Sequence, residues 1–195
     1  MRLFVGLEID PEIRHRISTF IEGVRNFAPD VRWVSPESLH ITLKFIGWWP
    51  EEQFAELKRA LATVRGEPIE IAFTDSGFFP TPRAARVFWI GIESGRQLAE
   101  LAAQVEAAVE PLGIAREERR FSPHLTLART GSGRPQRGKE DRENPHFKRL
   151  QTKLPAMPAL EFGKMTPREF FLYESKLSSK GAQYTRLESF PLVEP

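Results

Sequence analysis

Seven residues of this chain are written twice. Leu39-His40-Ile41-Thr42-Leu43-Lys44-Phe45 returns further on as Pro123-His124-Leu125-Thr126-Leu127-Ala128-Arg129. In both copies a His is followed two residues later by a Thr, with aliphatic residues between and after. With ten Thr and eighteen Leu among 195 residues, a given His meets x-Thr-Leu by chance about once in 200, so two of the four His doing so reads as duplication. Period-two alternation is the pattern of a half-buried strand. His40 and Thr42 then share one face and Ile41 and Leu43 the other, and His124 and Thr126 repeat this against Leu125 and Leu127. An imidazole and a hydroxyl make poor core, so the polar face of each strand reads as an active face.

The flanking segments supply the rest of a mixed fold. Residues 2–8 read as a strand. Asp10-Pro11-Glu12 reads as a helix start, with Asp10 as N-cap and Pro11 in the first position, and Ile13, Ile17, Phe20, Ile21 and Val24 mark an amphipathic helix to near Phe27. Val31–Val34 is a short apolar segment, Ser35-Pro36-Glu37 a turn, and Gly47-Trp48-Trp49-Pro50 a break after the first motif. A second helix is expected over Glu51–Val64. Strands are expected at Ile69–Phe73 and Arg86–Ile92 with a loop over Gly77–Arg83. A third helix spans Gln97–Leu112, closed by Gly113, and the second motif strand covers Phe121–Thr130. Leu160–Phe162, Glu169–Glu174 and Tyr184–Leu192 complete the strands, the last two joined through residues 178–181. Between them the segment from Gly131 to Pro145 holds no aliphatic residue, and a mobile basic loop is expected over 131–149.

Each motif follows a helix, so the chain reads as a loose internal duplication. The expected class is α/β of the α+β kind: a single domain over 1–195, bilobal and pseudo-twofold, with two mostly antiparallel sheets flanked by helices. The active cleft would lie between the lobes. Composition narrows the function classes. No Cys is present, which excludes disulfides, thiol catalysis and Cys-ligated zinc. No apolar run approaches the ~20 residues of a spanning helix and the N-terminus lacks a signal-peptide layout, so a cytoplasmic protein without membrane contact is expected. Net charge is only +2, yet ten Lys and Arg against five Asp and Glu crowd residues 116–149. That basic field suits a polyanionic substrate as readily as it suits a solvated loop.

Two facing imidazoles are a natural acid/base pair, because His titrates near neutrality. One takes a proton from water while the other gives one to a departing oxygen, and Thr42 and Thr126 can donate to the non-bridging oxygens of an anion between them. Two His without nearby carboxylates make a poor divalent-metal site, so neither metal nor cofactor is expected. A phosphodiester fits, and a 2′,3′-cyclic phosphate fits well, since its ring already presents the leaving oxygen opposite the incoming water.

The paired His-Ile-Thr-Leu and His-Leu-Thr-Leu resemble the two HxTx motifs of the 2H phosphoesterase superfamily. The flanks, among them Arg32-Trp33-Val34-Ser35-Pro36-Glu37-Ser38-Leu39-His40, Phe121-Ser122-Pro123-His124 and the tail Gly181-Ala182-Gln183-Tyr184, are similar to the RNA 2′,3′-cyclic phosphodiesterase branch, historically called 2′-5′ RNA ligase. The resemblance implies hydrolysis to a 2′-phosphate without a metal, His40 donating to the departing 3′-oxygen and His124 accepting from water. It also implies that Phe45 and Arg129, five past each His, stack on bases. Parity alone puts these two on the face opposite the His, so this requires a bend or bulge.

The expected partners are RNA or oligonucleotide ends and cyclic nucleotides, with a monomeric protein. Alternatives are action on 2′-5′ linkages or small cyclic nucleotides, ligation, and an RNA-binding module with vestigial catalysis. His15 and His146 read as solvated. Trp48-Trp49 reads as a turn anchored on the core rather than a substrate platform.

Overall fold

Leu3, Val5 and Leu7 of β1 (Arg2–Glu8) enter the main core while Phe4 is buried on the opposite face. Burial on both sides is why this strand is nearly continuously apolar. In α1 (Pro11–Val24) Pro11 occupies the first turn, where its missing N–H costs nothing. The Asp10 carbonyl accepts from the Arg14 N–H at 2.9 Å, but the Asp10 carboxylate makes no capping bond. Ile13, Ile17, Ile21 and Val24 form the buried stripe, each worth ~1.5–3 kcal/mol when fully buried.

A two-residue strand, β2 (Arg32–Trp33), and a 3-10 turn at Pro36–Ser38 lead into β3 (His40–Trp48), the first motif strand. The second helix is shorter than expected: a 3-10 turn at Glu51–Gln53 and then α2 (Phe54–Leu61). β4 (Ile71–Phe79) and β5 (Val87–Glu93) pair as a hairpin, so β4 runs on through residues expected to be loop. Gly77 makes room for this, because the Trp89 ring lies against it and a Cβ there would sit 2.1 Å from that ring. Next come α3 (Gln97–Val109), a 3-10 turn at Glu110–Leu112 capped by Gly113 in the left-handed region at φ 84°, and the second motif strand β6 (His124–Arg129). The chain closes with α4 (Lys148–Lys153), β7 (Glu161–Met165), β8 (Glu169–Ser178) and β9 (Gly181–Pro191).

The structure is a computed structural model that describes residues 1–131, 143–178 and 181–193. Most of the expected mobile loop over 131–149 therefore lies outside the described residues, as do residues 179 and 180 of the expected connection between the last two strands. Its last part is not loop. Asn144 accepts from the His146 N–H at 3.2 Å to cap a 3-10 turn at Pro145–Phe147 that runs into α4, and Phe147 is fully buried. Phe147 is an apolar anchor that lies just beyond the aliphatic-free stretch ending at Pro145.

The strands form two sheets, in the orders β3-β1-β8-β9 and β2-β6-β5-β4-β7, and every pairing is antiparallel. Four α-helices flank them among the described residues. One continuous core holds Val5, Leu7 and Ile41 of the first sheet, Phe88, Ile90 and Leu127 of the second, and the inner faces of the helices. A smaller aromatic cluster, Phe4, Phe171 and Tyr173 with Tyr184 against it, covers the other face of the first sheet. Among the described residues no helix is long and apolar enough to cross a membrane.

Candidate active site

The two motif strands are bent at the same place. In β3, Thr42 pairs with Gly6 and Lys44 with Val5, leaving Leu43 as an extra residue. In β6, Thr126 pairs with Trp89 and Ala128 with Phe88, leaving Leu127 extra. Each bulge puts two consecutive residues on the buried side, Leu43 with Lys44 and Leu127 with Ala128, and so reverses the parity of the residues after it. Phe45 thereby opposes Phe4, the residue whose ring lies 4.5 Å from His40. Arg129 reaches Thr126, its guanidinium donating to the hydroxyl at 3.3 Å. The bulge that parity demanded is present in both copies, and it brings Phe45 and Arg129 to the His-Thr faces. Gly6 is the residue that admits the first one, since a Cβ there would lie 2.6 Å from the Ile41 carbonyl oxygen.

The imidazoles are held alike. His40 Nδ1 lies 2.8 Å from the Ser38 carbonyl oxygen and His124 Nδ1 lies 2.7 Å from that of Ser122. A carbonyl only accepts, so Nδ1 carries the hydrogen and each Nε2 is left for chemistry. Both rings sit among aromatic residues. His40 has Phe4 and, edge-on at 4.8 Å, Tyr184; His124 has Phe79 edge-on at 5.1 Å and Trp89 at 6.5 Å. Burial pushes both imidazole pKa values below their ordinary range, the carbonyl bond partly restores them, and Arg129 lowers both again.

That shared guanidinium is what links the halves. β2 pairs with β6, Arg32 opposite Arg129, and the Val34 N–H donates to the Leu127 carbonyl at 2.8 Å. The few residues from β2 to β3 thus carry the chain from one sheet to the other and lay the first motif strand against the second. Tyr184 lies edge-on to His40 and also feels the charge of Arg129. Burial raises the Tyr184 phenol and takes Tyr173 to about 12, so both are O–H donors at neutral pH. A cavity of about 210 Å³ opens on the His40 side, bordered by Glu8, Arg14, Tyr173, Tyr184 and Arg186.

Thr42 and Thr126 are half-buried on the same faces as their His residues. His15 and His146 are exposed. The two tryptophans separate: Trp49 is 8% exposed and anchors the turn, with its backbone N–H donating to the Met1 carbonyl at 2.7 Å, whereas Trp48 is 82% exposed. Only half of the expected core-anchored turn is therefore core. The aromatic lining, Phe4, Phe79, Trp89 and Tyr173, escaped the sequence reading because it comes from neighbouring strands. Among the described residues no three His, Cys, Asp or Glu side chains gather where a metal ion would be held.

Comparison with known proteins bears on the whole chain. A family model described as LigT like phosphoesterase matches it twice, over residues 7–89 and 90–184, with one motif in each match. The RNA 2′,3′-cyclic phosphodiesterase of Archaeoglobus fulgidus is 34% identical over 190 residues, covering 97% of this chain and 99% of the relative. The protein of the same name from Methanothermobacter thermautotrophicus is 31% identical over 194 residues, covering 98% and 99%. Among solved structures, TT0787 of Thermus thermophilus superposes with a TM-score of 0.75 at 30% identity over 98% of both chains. E. coli LigT complexed with 3′-AMP gives 0.76 at 25% identity, over 99% of this chain and 98% of the other. The chain belongs to the LigT-like phosphoesterase family.

Proposed function

We propose that this protein hydrolyses the 2′,3′-cyclic phosphate ends of RNA to 2′-phosphates, by acid/base catalysis between two histidines and without a metal. The carrying observation is the pair of imidazoles with matching Nδ1–carbonyl bonds, both in the field of Arg129. The names of the relatives and the nucleotide held by the E. coli neighbour support the substrate class.

The steps use the free Nε2 atoms. Neutral His124 takes a proton at Nε2 from water as the water oxygen bonds to phosphorus. Protonated His40 gives its Nε2 proton to the 3′-oxygen as the P–O3′ bond breaks. The products are a free 3′-hydroxyl and a 2′-phosphate, and proton exchange with solvent resets the pair. Thr42, Thr126 and Arg129 donate to the non-bridging oxygens, where charge accumulates. A bound phosphate anion opposes the depression of the His40 pKa and favours its acid form.

The test is turnover of an oligonucleotide bearing a 2′,3′-cyclic phosphate, with EDTA present. Wild-type protein should convert it to the 2′-phosphate, and His40→Ala and His124→Ala should each lose ~10²–10⁴ in kcat while keeping the wild-type circular dichroism. A variant with undiminished rate, or wild-type activity abolished by EDTA, overturns the reading.

A further inference from the structure

We propose that the active face continues along β3 to a second base-stacking position at Trp48, flanked by Arg2, which makes the preferred substrate a single-stranded RNA end of several nucleotides rather than a mononucleotide. This rests on the phosphodiesterase reading above and goes beyond it in naming what lies upstream of the terminal nucleotide.

Strand register lays out the row. β1 is regular, so Arg2, Phe4, Gly6 and Glu8 share a face. Their partners on β3 are Trp48, Phe45, Thr42 and His40. A second bulge, at Ile46, does for Trp48 what the first does for Phe45: Gly47 pairs with Leu3 and Trp48 with Arg2. Without these two extra residues the strand would turn one aromatic ring into the core. With them, His40, Thr42, Phe45 and Trp48 form a single row.

Exposure points the same way. Phe45 is 58% and Trp48 82% exposed, two large aromatic residues uncovered on the one face that carries the motif. Arg2 is exposed beside Trp48, is in no ion pair among the described residues, and its charge reaches Tyr184 at the site. The Phe45 ring and the His40 imidazole both lie against Phe4, with centroids 6.3 and 4.5 Å from its ring, and at ~3.3 Å per residue along β1 Trp48 follows about 7 Å further, a separation an extended nucleotide step can span. Aromatic platforms spaced along a strand, with a guanidinium for the phosphate between them, are what sequence-tolerant binding of single strands uses. A protein partner for this patch would find aromatic surface but no use for a row that ends at His40.

The experiment compares wild type, Trp48→Ala and Trp48→Phe on 2′,3′-cyclic AMP and on a pentanucleotide with a 2′,3′-cyclic end. Binding of a fluorescent pentanucleotide ending in a 3′-phosphate is measured for each by anisotropy. Trp48→Ala should lower the pentanucleotide-to-mononucleotide ratio of kcat/KM about tenfold or more, through KM, and weaken pentanucleotide binding to match. Trp48→Phe should restore most of both. Arg2→Gln should reduce the slope of log affinity against log salt by about one. An unchanged ratio with unchanged binding overturns the proposal. If wild type turns over neither substrate the phosphodiesterase reading fails, and the anisotropy series still decides whether Trp48 holds an RNA strand.

Discussion

Burial and the charge of Arg129 favour the neutral forms of His40 and His124 in the unliganded protein. A carbonyl two residues upstream takes each Nδ1–H, and burial together with Arg129 keeps both pKa values below the ordinary 6.5. The free protein should therefore show a bell-shaped kcat/KM profile with its maximum on the acid side of that value. Arg129→Gln removes a positive charge that disfavours protonation, so it should move both imidazole titrations, followed by NMR, and the kcat/KM maximum to higher pH. Titrations that stay in place would remove Arg129 from the site. The same depression means that the unfolded chain binds more protons than the folded one just below pH 6.5, so these two groups subtract stability as the pH falls through that window. At this scale the sequence is eloquent about His and Thr, because the duplication singles them out. It is silent about the aromatic walls, since Trp89 reaches His124 from β5 and Tyr184 reaches His40 from β9.

Bulged strands are what turn a motif into a site. Strict alternation would send Lys44 to the active face and Phe45 to the core. The extra residue exchanges them, and Lys44 becomes a buried tie with only 1% of its side chain exposed. Its ammonium donates to Glu106 Oε1 of α3 at 2.9 Å and to the Ala115 carbonyl at 2.7 Å, while the Glu117 N–H donates to the same Glu106 oxygen. The first motif strand is thus fastened to the segment that leads into the second. Removing Glu106 leaves the buried ammonium with the Ala115 carbonyl and only the more distant Glu117 carboxylate, 3.6 Å away, so Glu106→Ala should cost about 2 kcal/mol. Lys44→Met keeps the stem, deletes the charge and should cost less; urea unfolding of the two variants checks the order. The reverse order would mean that the pair does not behave as a buried ion pair.

For the molecule as a whole, the second sheet is packed by the last part of a segment expected to be mobile. Phe147 packs at 5.5 Å from Phe78 and 6.4 Å from Phe88, ring to ring. Phe147→Ala should lower stability by about 3–5 kcal/mol, measured by urea or thermal unfolding, whereas a solvated position would move it by less than about 0.5 kcal/mol. The sequence by itself determined the duplicated strands, the helix stripes, the antiparallel class and the paired His and Thr positions, because period-two and period-3.6 patterns and a repeated motif are local properties of a chain. Only the tertiary structure decided which face Phe45, Arg129 and Trp48 share, which aromatic rings wall the imidazoles, and that one guanidinium serves both. Those outcomes depend on the register between strands far apart in sequence, and one extra residue in a ladder reverses a face without leaving any mark in the composition.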